Sequence, residues 1–166
     1  MKKIICCLLV AVMLSACSGT KNSDTKQETN QENAPRKEGE KRVGDIIMVN
    51  GELGVVFAVT TDGQHGKVMS ASQTECAWDD AKKWCAYLGY GWKFPTIDEL
   101  RVIRRNKAVI NSALKTNGYT MLGEGCYWSS EIYGEFCASR VRMYDGHTCV
   151  NPKDDFDLYV RAVTAF

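Results

Sequence analysis

The sequence has few of the residues that would point to an enzyme or to a nucleic-acid-binding protein. It contains only two histidines and three prolines, and its 21 basic side chains nearly balance 20 acidic ones. A net charge of +1 gives no general attraction for a polyanion, so nucleic acid is not expected as a partner. A Ser-His-Asp or Cys-His site would have to use His65 or His147, which both lie beside glycine-containing turns. No Cys-x-x-Cys or His-x-x-x-His pair occurs, and we expect no metal and no cofactor.

The sequence also has no apolar run long enough to span a membrane. The longest run covers residues 4–14, and eleven residues at 1.5 Å each cover about half of a hydrocarbon core of about 30 Å. It follows a basic start at Lys2-Lys3 and ends near small residues. This pattern predicts a secretory signal peptide over residues 1–16.

The end of this segment, Leu14-Ser15-Ala16-Cys17, resembles a bacterial lipobox. The resemblance implies cleavage before Cys17 and acylation of that cysteine, whose acyl chains would anchor the protein in a lipid bilayer. Residue 18 is Ser and not Asp, which by the sorting rule for such lipoproteins indicates the outer membrane. Which face of that membrane carries the protein stays open. The alternative is an ordinary signal peptide with a cysteine near its cleavage site.

Two further segments follow the signal peptide. Residues 18–42 contain one hydrophobic residue, Ala34, among eleven charged ones, so Cys17 and this segment (residues 17–42) are predicted to form a lipidated, disordered tether. Residues 43–166 hold all four tryptophans and are long enough for one domain with its own core. This domain carries 13 basic and 15 acidic side chains, so the positive balance belongs to the export signal.

The periodicity of residues 43–166 predicts an α+β fold. Strands on either side of Asn50-Gly51 predict a hairpin, and apolar residues on one face predict a helix over 77–88. Thr96 with Glu99 forms a capping box for a second helix, and Trp84 and Trp128 are expected in the core. A short helix is predicted at 109–114, and strands at 45–49, 54–60, 67–70, 127–130, 137–144, 148–151 and 158–163. We expect one antiparallel sheet whose first and last strands meet.

Three motifs in this order carry a family resemblance. They are W-x-x-A-x-x-x-C at 78–85, W-K-F-P-T-I-D-E-L at 92–100, and Y-W-S-S at 127–130 followed by Y-V-R-A-V at 159–163. Together they resemble the C-terminal domain family of bacterial collagen-like adhesins, the Lcl C-terminal-like domains, which is similar in turn to C-type-lectin-like domains. This chain has Lys93-Phe94 where the family usually has Arg-Leu before the proline.

The resemblance implies a C-type-lectin-like domain, with antiparallel strands and two or three short helices inserted after the first strands. It also implies a surface lipoprotein that binds a glycan or protein ligand in adhesion, as a monomer or as a homo-oligomer. Two alternatives stay open. One is a structural, fimbria-associated component, and the other is an envelope oxidoreductase or hydrolase that uses Cys137 with Cys149 or an acidic cleft, since the related sulfatase-modifying domains bind copper through a cysteine pair.

A polar row on the strand at 137–144 is the predicted ligand-binding surface. Period-two alternation places Val141 and Met143 on one face and Arg140, Arg142 and Tyr144 on the other, near His147. Guanidinium groups with an aromatic ring can bind carboxylate, sulfate or sugar faces. The alternative is an ordinary polar sheet face.

Five cysteines remain in the domain, at 76, 85, 126, 137 and 149, and an odd number leaves at least one unpaired. An oxidising envelope permits bridges, and we expect one between Cys126 and Cys137, which flank the Tyr133-Gly134 turn. Cys85 is expected as a buried free thiol. The loop with Asp154, Asp155 and Asp157 is either an exposed acidic turn or a Ca²⁺ site.

Overall fold

Residues 35–156 and 158–166 are described by this computed structural model, and they form the α+β fold that the sequence predicts. One compact unit spans Arg36–Phe166 and so begins before residue 43. The Arg36 guanidinium binds the Asp45 carboxylate at 2.9 Å, and the Lys41 amide donates to the Gly63 carbonyl at 2.8 Å. The end of the predicted tether therefore packs on the domain. The signal peptide, Cys17 and the tether up to residue 34 lie outside the described residues.

Nine strands and three helices follow one another along the described residues. They are β1 (Ile46–Val49), β2 (Glu52–Val59), β3 (Gly66–Ser70), β4 (Thr74–Glu75), α1 (Trp78–Tyr87), α2 (Ile97–Arg105), α3 (Lys107–Thr116), β5 (Cys126–Tyr133), β6 (Cys137–Arg142), β7 (Thr148–Pro152), β8 (Tyr159–Val160) and β9 (Val163–Ala165).

The first sheet has the antiparallel order β1-β2-β3-β9. Its first hairpin turns at Asn50 and Gly51, whose φ angles of 49° and 88° confirm the predicted turn. The expected pairing of the first and last strands is wrong, because β9 pairs with β3 and not with β1. Burial explains the choice: Val68 and Met69 of β3 are fully buried, whereas Met48 of β1 is exposed.

The second sheet has the order β4-β8-β5-β6-β7, in which β5 and β8 run parallel and the other pairs antiparallel. The single sheet predicted from the sequence is therefore two sheets. The strand predicted at 158–163 is also divided, because β8 belongs to the second sheet and β9 to the first. The chain crosses between the sheets at Arg161 and Ala162, which are both buried.

The helices lie close to their predicted positions. Thr96 caps α2 as expected, since its Oγ1 accepts from the Glu99 amide at 3.1 Å and Glu99 accepts from the Thr96 amide at 2.9 Å. Helix α3 is longer than predicted and ends before Gly118, whose φ angle is 77°. In the described part of the chain, every helix is too short or too polar to cross a membrane.

Apolar side chains cover both faces of the second sheet. On one face, Tyr127 and Val141 pack with residues of α2 and α3 such as Leu100 and Ile110. On the other face, Trp128 and Ala138 pack with Trp78, Ala81 and Cys85 of α1. Trp128 is fully buried as expected, but Trp84 is only half-buried, because Trp78 is the α1 tryptophan that points into the core.

Arg161 is fully buried where the chain crosses between the two sheets, and it contacts carbonyl and amide oxygens and the Tyr127 side chain. Its Nη1 donates to the carbonyl of Ser70 at 3.1 Å and to that of Ala71, its Nη2 donates to the Thr120 carbonyl, and its Nε donates to Gln73 Oε1 at 3.1 Å. Burial lowers the pKa of Arg161 to about 10, and the neighbouring Tyr127 opposes this change. One guanidinium thus joins the end of β3, the loop before β5 and the crossing between the sheets.

We expect Arg161→Met to lower the free energy of unfolding by about 3 kcal/mol or more, because several buried carbonyls lose their donor together. The free energy of unfolding of Arg161→Lys should lie between those of Arg161→Met and wild type, since an ammonium lacks the planar fork of donors. Denaturant unfolding followed by tryptophan fluorescence measures both. The exposed Arg105 supplies the control, and Arg105→Met should change the value by less than about 0.5 kcal/mol. Equal effects at the two positions would contradict the role given to Arg161.

Glu99 is a buried carboxylate at the start of α2 that faces two lysines. Its Oε1 accepts from Lys67 Nζ at 2.8 Å and lies 3.7 Å from Lys93 Nζ. Burial raises the pKa of Glu99, but the hydrogen bonds from Lys67 and from the Thr96 amide, together with both lysine charges, outweigh burial and lower it overall. A carboxyl whose pKa is lower in the folded state stabilises the fold above its unfolded pKa, and this contribution disappears as the pH falls through the folded value.

Glu99→Gln should therefore be less stable than wild type at neutral pH, and the difference should shrink as the pH falls below 4.5, the ordinary pKa of this group. Denaturant midpoints measured from neutral to acid pH check this expectation. Glu38→Gln changes an exposed carboxylate, and its denaturant midpoint should follow that of wild type at every pH. A difference for Glu99→Gln that stays constant at every pH would refute the assignment.

Candidate functional site

Arg142 of the predicted polar row is held by a carboxylate of its own turn. Its Nε donates to Asp145 Oδ1 at 3.0 Å and its Nη2 to Oδ2, and the His147 amide donates to the same carboxylate at 3.0 Å. These hydrogen bonds, with the Arg142 bonds the largest cause, hold the pKa of Asp145 well below its ordinary value. The Arg142 charge is thus largely neutralised within the domain. The sequence contained this signal, since Asp145 follows Arg142 by three residues at a turn.

Arg140 lies half-buried along the sheet and does not project into solvent with its neighbours. Its Nε donates to Asn151 Oδ1, its Nη1 contacts Cys126 Sγ, and Asn151 in turn donates to Asp155 at 2.6 Å. Tyr144 and His147 are exposed, beyond the end of β6. The structure therefore brings Arg142 and His147 together around Asp145, but the four residues do not form one continuous open surface.

Arg104 of α2 holds the turn that carries Tyr144. Its Nε donates to the Met143 carbonyl and its Nη2 to the Tyr144 carbonyl, each at 3.2 Å. In the sequence, Arg104 lies close to Arg101, Arg105 and Lys107, and this local cluster gives no sign of the long-range contact. Arg104 thus supports the turn and is not available as part of a basic patch.

The expected bridge between Cys126 and Cys137 does not fit the hairpin. Cys126 lies opposite Arg142 and Cys137 lies opposite Tyr133, so the two cysteines are at opposite ends of the β5–β6 pair. Tyr133 is seven positions along the strand from Cys126, about 23 Å at 3.3 Å per residue, whereas a disulfide needs Cα atoms within about 7 Å. All five described cysteines are unbridged. This pairing is corrected, because flanking a turn in sequence does not make two residues opposite each other in the ladder.

Cys137 and Cys149 are also separated. Cys149 lies opposite Arg140 and therefore shares its face, whereas Cys137, three residues from Arg140, points to the other face of the sheet. Two thiols on opposite faces cannot share one copper ion. Cys85 is buried and unbridged, as expected, and burial raises the pKa of its thiol to about 12. Burial, with the charge of Asp80, also raises the pKa of Cys76.

The loop suggested for Ca²⁺ is described only in part. Asp155 accepts from Asn151, Asp154 is exposed, and Asp157 lies outside the described residues. Among the residues that are described, no group of three His, Cys, Asp or Glu side chains is placed to hold a metal ion.

Three segments distant in sequence form an open groove of about 640 Å³. They are the start of α1, the β5–β6 turn and the loop after β7. Backbone hydrogen bonds fix them together, since the Trp78 amide donates to the Lys153 carbonyl and the Lys153 amide donates to the Phe136 carbonyl, each at 2.9 Å. Its apolar lining comes from Ala77, Phe136, Pro152 and Phe156. Two of these side chains are largely exposed, Phe136 by 74% and Phe156 by 66%.

The charged lining of this groove, called the acidic groove below, is mostly negative: Asp79, Asp80, Glu135 and Asp154 against Lys153. The Lys153 ammonium is part of the wall, because it lies 5.2 Å from the Trp78 ring centroid and donates to the Glu135 carbonyl at 2.7 Å. Asp80 binds Lys83 at 2.8 Å. A positively charged ligand with apolar or flat groups fits this combination of carboxylates and exposed rings.

Sequence reasoning missed this groove. Asp79 and Asp80 lie in the first turn of α1, where acidic residues complement the helix dipole, and Asp154 is in the loop predicted as an exposed acidic turn or a Ca²⁺ site. The available signal was a phenylalanine beside acidic residues in two turns, at Glu135-Phe136 and Asp155-Phe156. Single exposed apolar residues are ordinary on a protein surface, and these two rings stand out because they line the same groove.

A comparison with protein-family models finds none that matches this chain, and a search of curated proteins also finds no match. The function must therefore be argued from the geometry of the site.

Proposed function

We propose that this chain is a lipoprotein of the bacterial outer membrane, anchored through acylated Cys17, whose C-type-lectin-like domain binds a glycan or protein ligand and is not an enzyme. The lipobox and the signal pattern support the anchor. The order of the described elements, with three helices between the first strands and the last, supports the lectin-like architecture and the family resemblance. One observation carries the binding role, the acidic groove with its two exposed phenylalanines.

Exposed aromatic rings favour binding because they are costly to hydrate. Covering apolar surface contributes about 25 cal/mol per Å², and rings set in a groove are covered more completely than rings on a flat face. Phe136 and Phe156 come from different turns and line the same groove. We therefore place the ligand in the acidic groove and not on the row of Arg140, Arg142, Tyr144 and His147.

The groove is a weak candidate for catalysis. Its described lining contains no serine, cysteine or histidine that could act as an activated nucleophile or as an imidazole base. Its four carboxylates are all exposed, whereas burial usually holds one carboxyl of a catalytic pair protonated. The separation of Cys137 from Cys149 also argues against the oxidoreductase alternative. A fimbria-associated structural role would differ from the proposed one in the kind of partner.

Cys17→Ser should abolish metabolic labelling with an alkyne fatty acid and should move the protein from the membrane fraction to the soluble fraction, because the anchor is lost. Cell fractionation with click detection measures both. Cys85→Ser is the matched control, since Cys85 is buried, and it should leave labelling unchanged. Labelling that persists in Cys17→Ser would overturn the lipid-anchor proposal.

Binding is tested with the full chain in neutral detergent micelles on glycan and peptide arrays. We expect retained ligands to bind at least tenfold more weakly to Phe136→Ala and Phe156→Ala. The control Tyr90→Ala removes an even more exposed aromatic outside the groove and should bind as wild type. Ligands whose binding is weakened by Arg142→Ala and unchanged by Phe136→Ala would place the site on the polar row. No ligand on either array would reject the binding module.

A further inference from the structure

We infer that the acidic groove binds a peptide segment of a protein partner that presents arginine or lysine side chains. This inference rests on the proposed binding function and names the chemistry of its ligand. It depends on three properties of the described residues: the charge of the groove, the state of its carboxylates, and the way its wall already holds a cation.

The charge of the groove favours a cationic ligand. Four carboxylates line it, against Lys153 in the wall and Lys83 bound to Asp80, which gives a net charge of −2. This local charge equals the excess of 15 acidic over 13 basic side chains in the whole of residues 43–166. A concave surface lined by one sign of charge attracts and orients the opposite sign. Sulfated glycans and other polyanions are correspondingly disfavoured here.

Two of the groove carboxylates can accept a new cation. Within the described residues, Glu135 and Asp154 form no ion pair through their side chains, so their charges are not neutralised by the domain itself. This differs from Asp145 on the polar row, which Arg142 holds at both oxygens. An incoming guanidinium can form charge-assisted hydrogen bonds to Glu135 or Asp154 without displacing a neighbour.

The spacing of the carboxylates favours a peptide over a metal ion as the ligand. No three acidic, histidine or cysteine side chains of the described part are close enough together to share a metal. The cavity of about 640 Å³ also lies in the range of about 300–1,000 Å³ that suits an organic ligand. Carboxylates spread along a groove of this size match several cationic side chains on one segment better than a single ion.

The wall of the groove already holds one cation. The Lys153 ammonium is held there by the face of Trp78, 5.2 Å away, and by a backbone carbonyl at 2.7 Å. The exposed rings of Phe136 and Phe156 offer the same kind of surface to a cation from outside. Arginine suits them best, because its flat guanidinium stacks on an aromatic ring while its edge donates to a carboxylate.

The test measures fluorescence anisotropy of a labelled (Gly-Arg)₄ peptide with the full chain in neutral detergent micelles. We expect saturable binding that is at least tenfold weaker for (Gly-citrulline)₄, which keeps the shape of arginine and lacks its charge. Two double variants, Glu135→Gln/Asp154→Asn and Phe136→Ala/Phe156→Ala, should each bind the arginine peptide at least tenfold more weakly than wild type. The matched controls Glu38→Gln and Tyr90→Ala alter an exposed acid and an exposed ring outside the groove, and they should stay within twofold of wild type.

Equal binding of the arginine and citrulline peptides would overturn the inference, as would groove variants that bind like wild type. Dimers of the wild type that dissociate in Phe136→Ala, measured by sedimentation, would identify a second copy as the occupant and would also overturn it. All four substituted groove residues are exposed, and thermal unfolding confirms that each variant is folded. A neutral glycan that depends on Phe136, with no binding of (Gly-Arg)₄, would reject this inference and leave the proposed function standing.

Discussion

The fold depends on a cation that has no carboxylate partner among the described residues. Arg161 is buried at the crossing from the second sheet to the first, and its donors are taken up by carbonyl oxygens of Ser70, Ala71 and Thr120 and by Gln73. Removing a charge from water costs several kcal/mol unless each donor finds an acceptor. The loops that meet here are therefore held to one geometry, because any other arrangement would leave the guanidinium with unmatched donors. The residues beside Arg161 belong to the two hydrophobic clusters, Val160 and Ala162 to the one with Trp128 and Val163 to the one with Tyr127.

Local signals in the sequence predicted local structure well. Asn50-Gly51 fixed the first hairpin, and Thr96 with Glu99 fixed the start of α2, because the residues that decide each feature are within four positions of one another. Pairing across the fold was not predictable in this way. The division of 158–163 into β8 and β9 depends on long-range pairing, because β8 pairs in the second sheet and β9 in the first. The apolar pattern of Leu158 to Val163 would be the same for one undivided strand.

The candidate site could not be read from the sequence for a related reason. Phe136 and Phe156 come together in the acidic groove only because the β5–β6 turn and the loop after β7 meet at Lys153. Conversely, Arg140 and Arg142 alternate along the strand as predicted, but their side chains are engaged by Asn151, Cys126 and Asp145. Alternation predicts the face on which a residue lies, and it does not predict which neighbours will engage its charge.

The pairing of β8 and β9 has a consequence for how fast the domain folds. Strand β8 pairs with β4, and β9 pairs with β3, so each sheet contains strands that are far apart in sequence. Contacts between distant residues form slowly, because the chain loses the entropy of a long loop before the pairing stabilises it. The two sheets therefore depend on slow, long-range pairing as well as on the local hairpins.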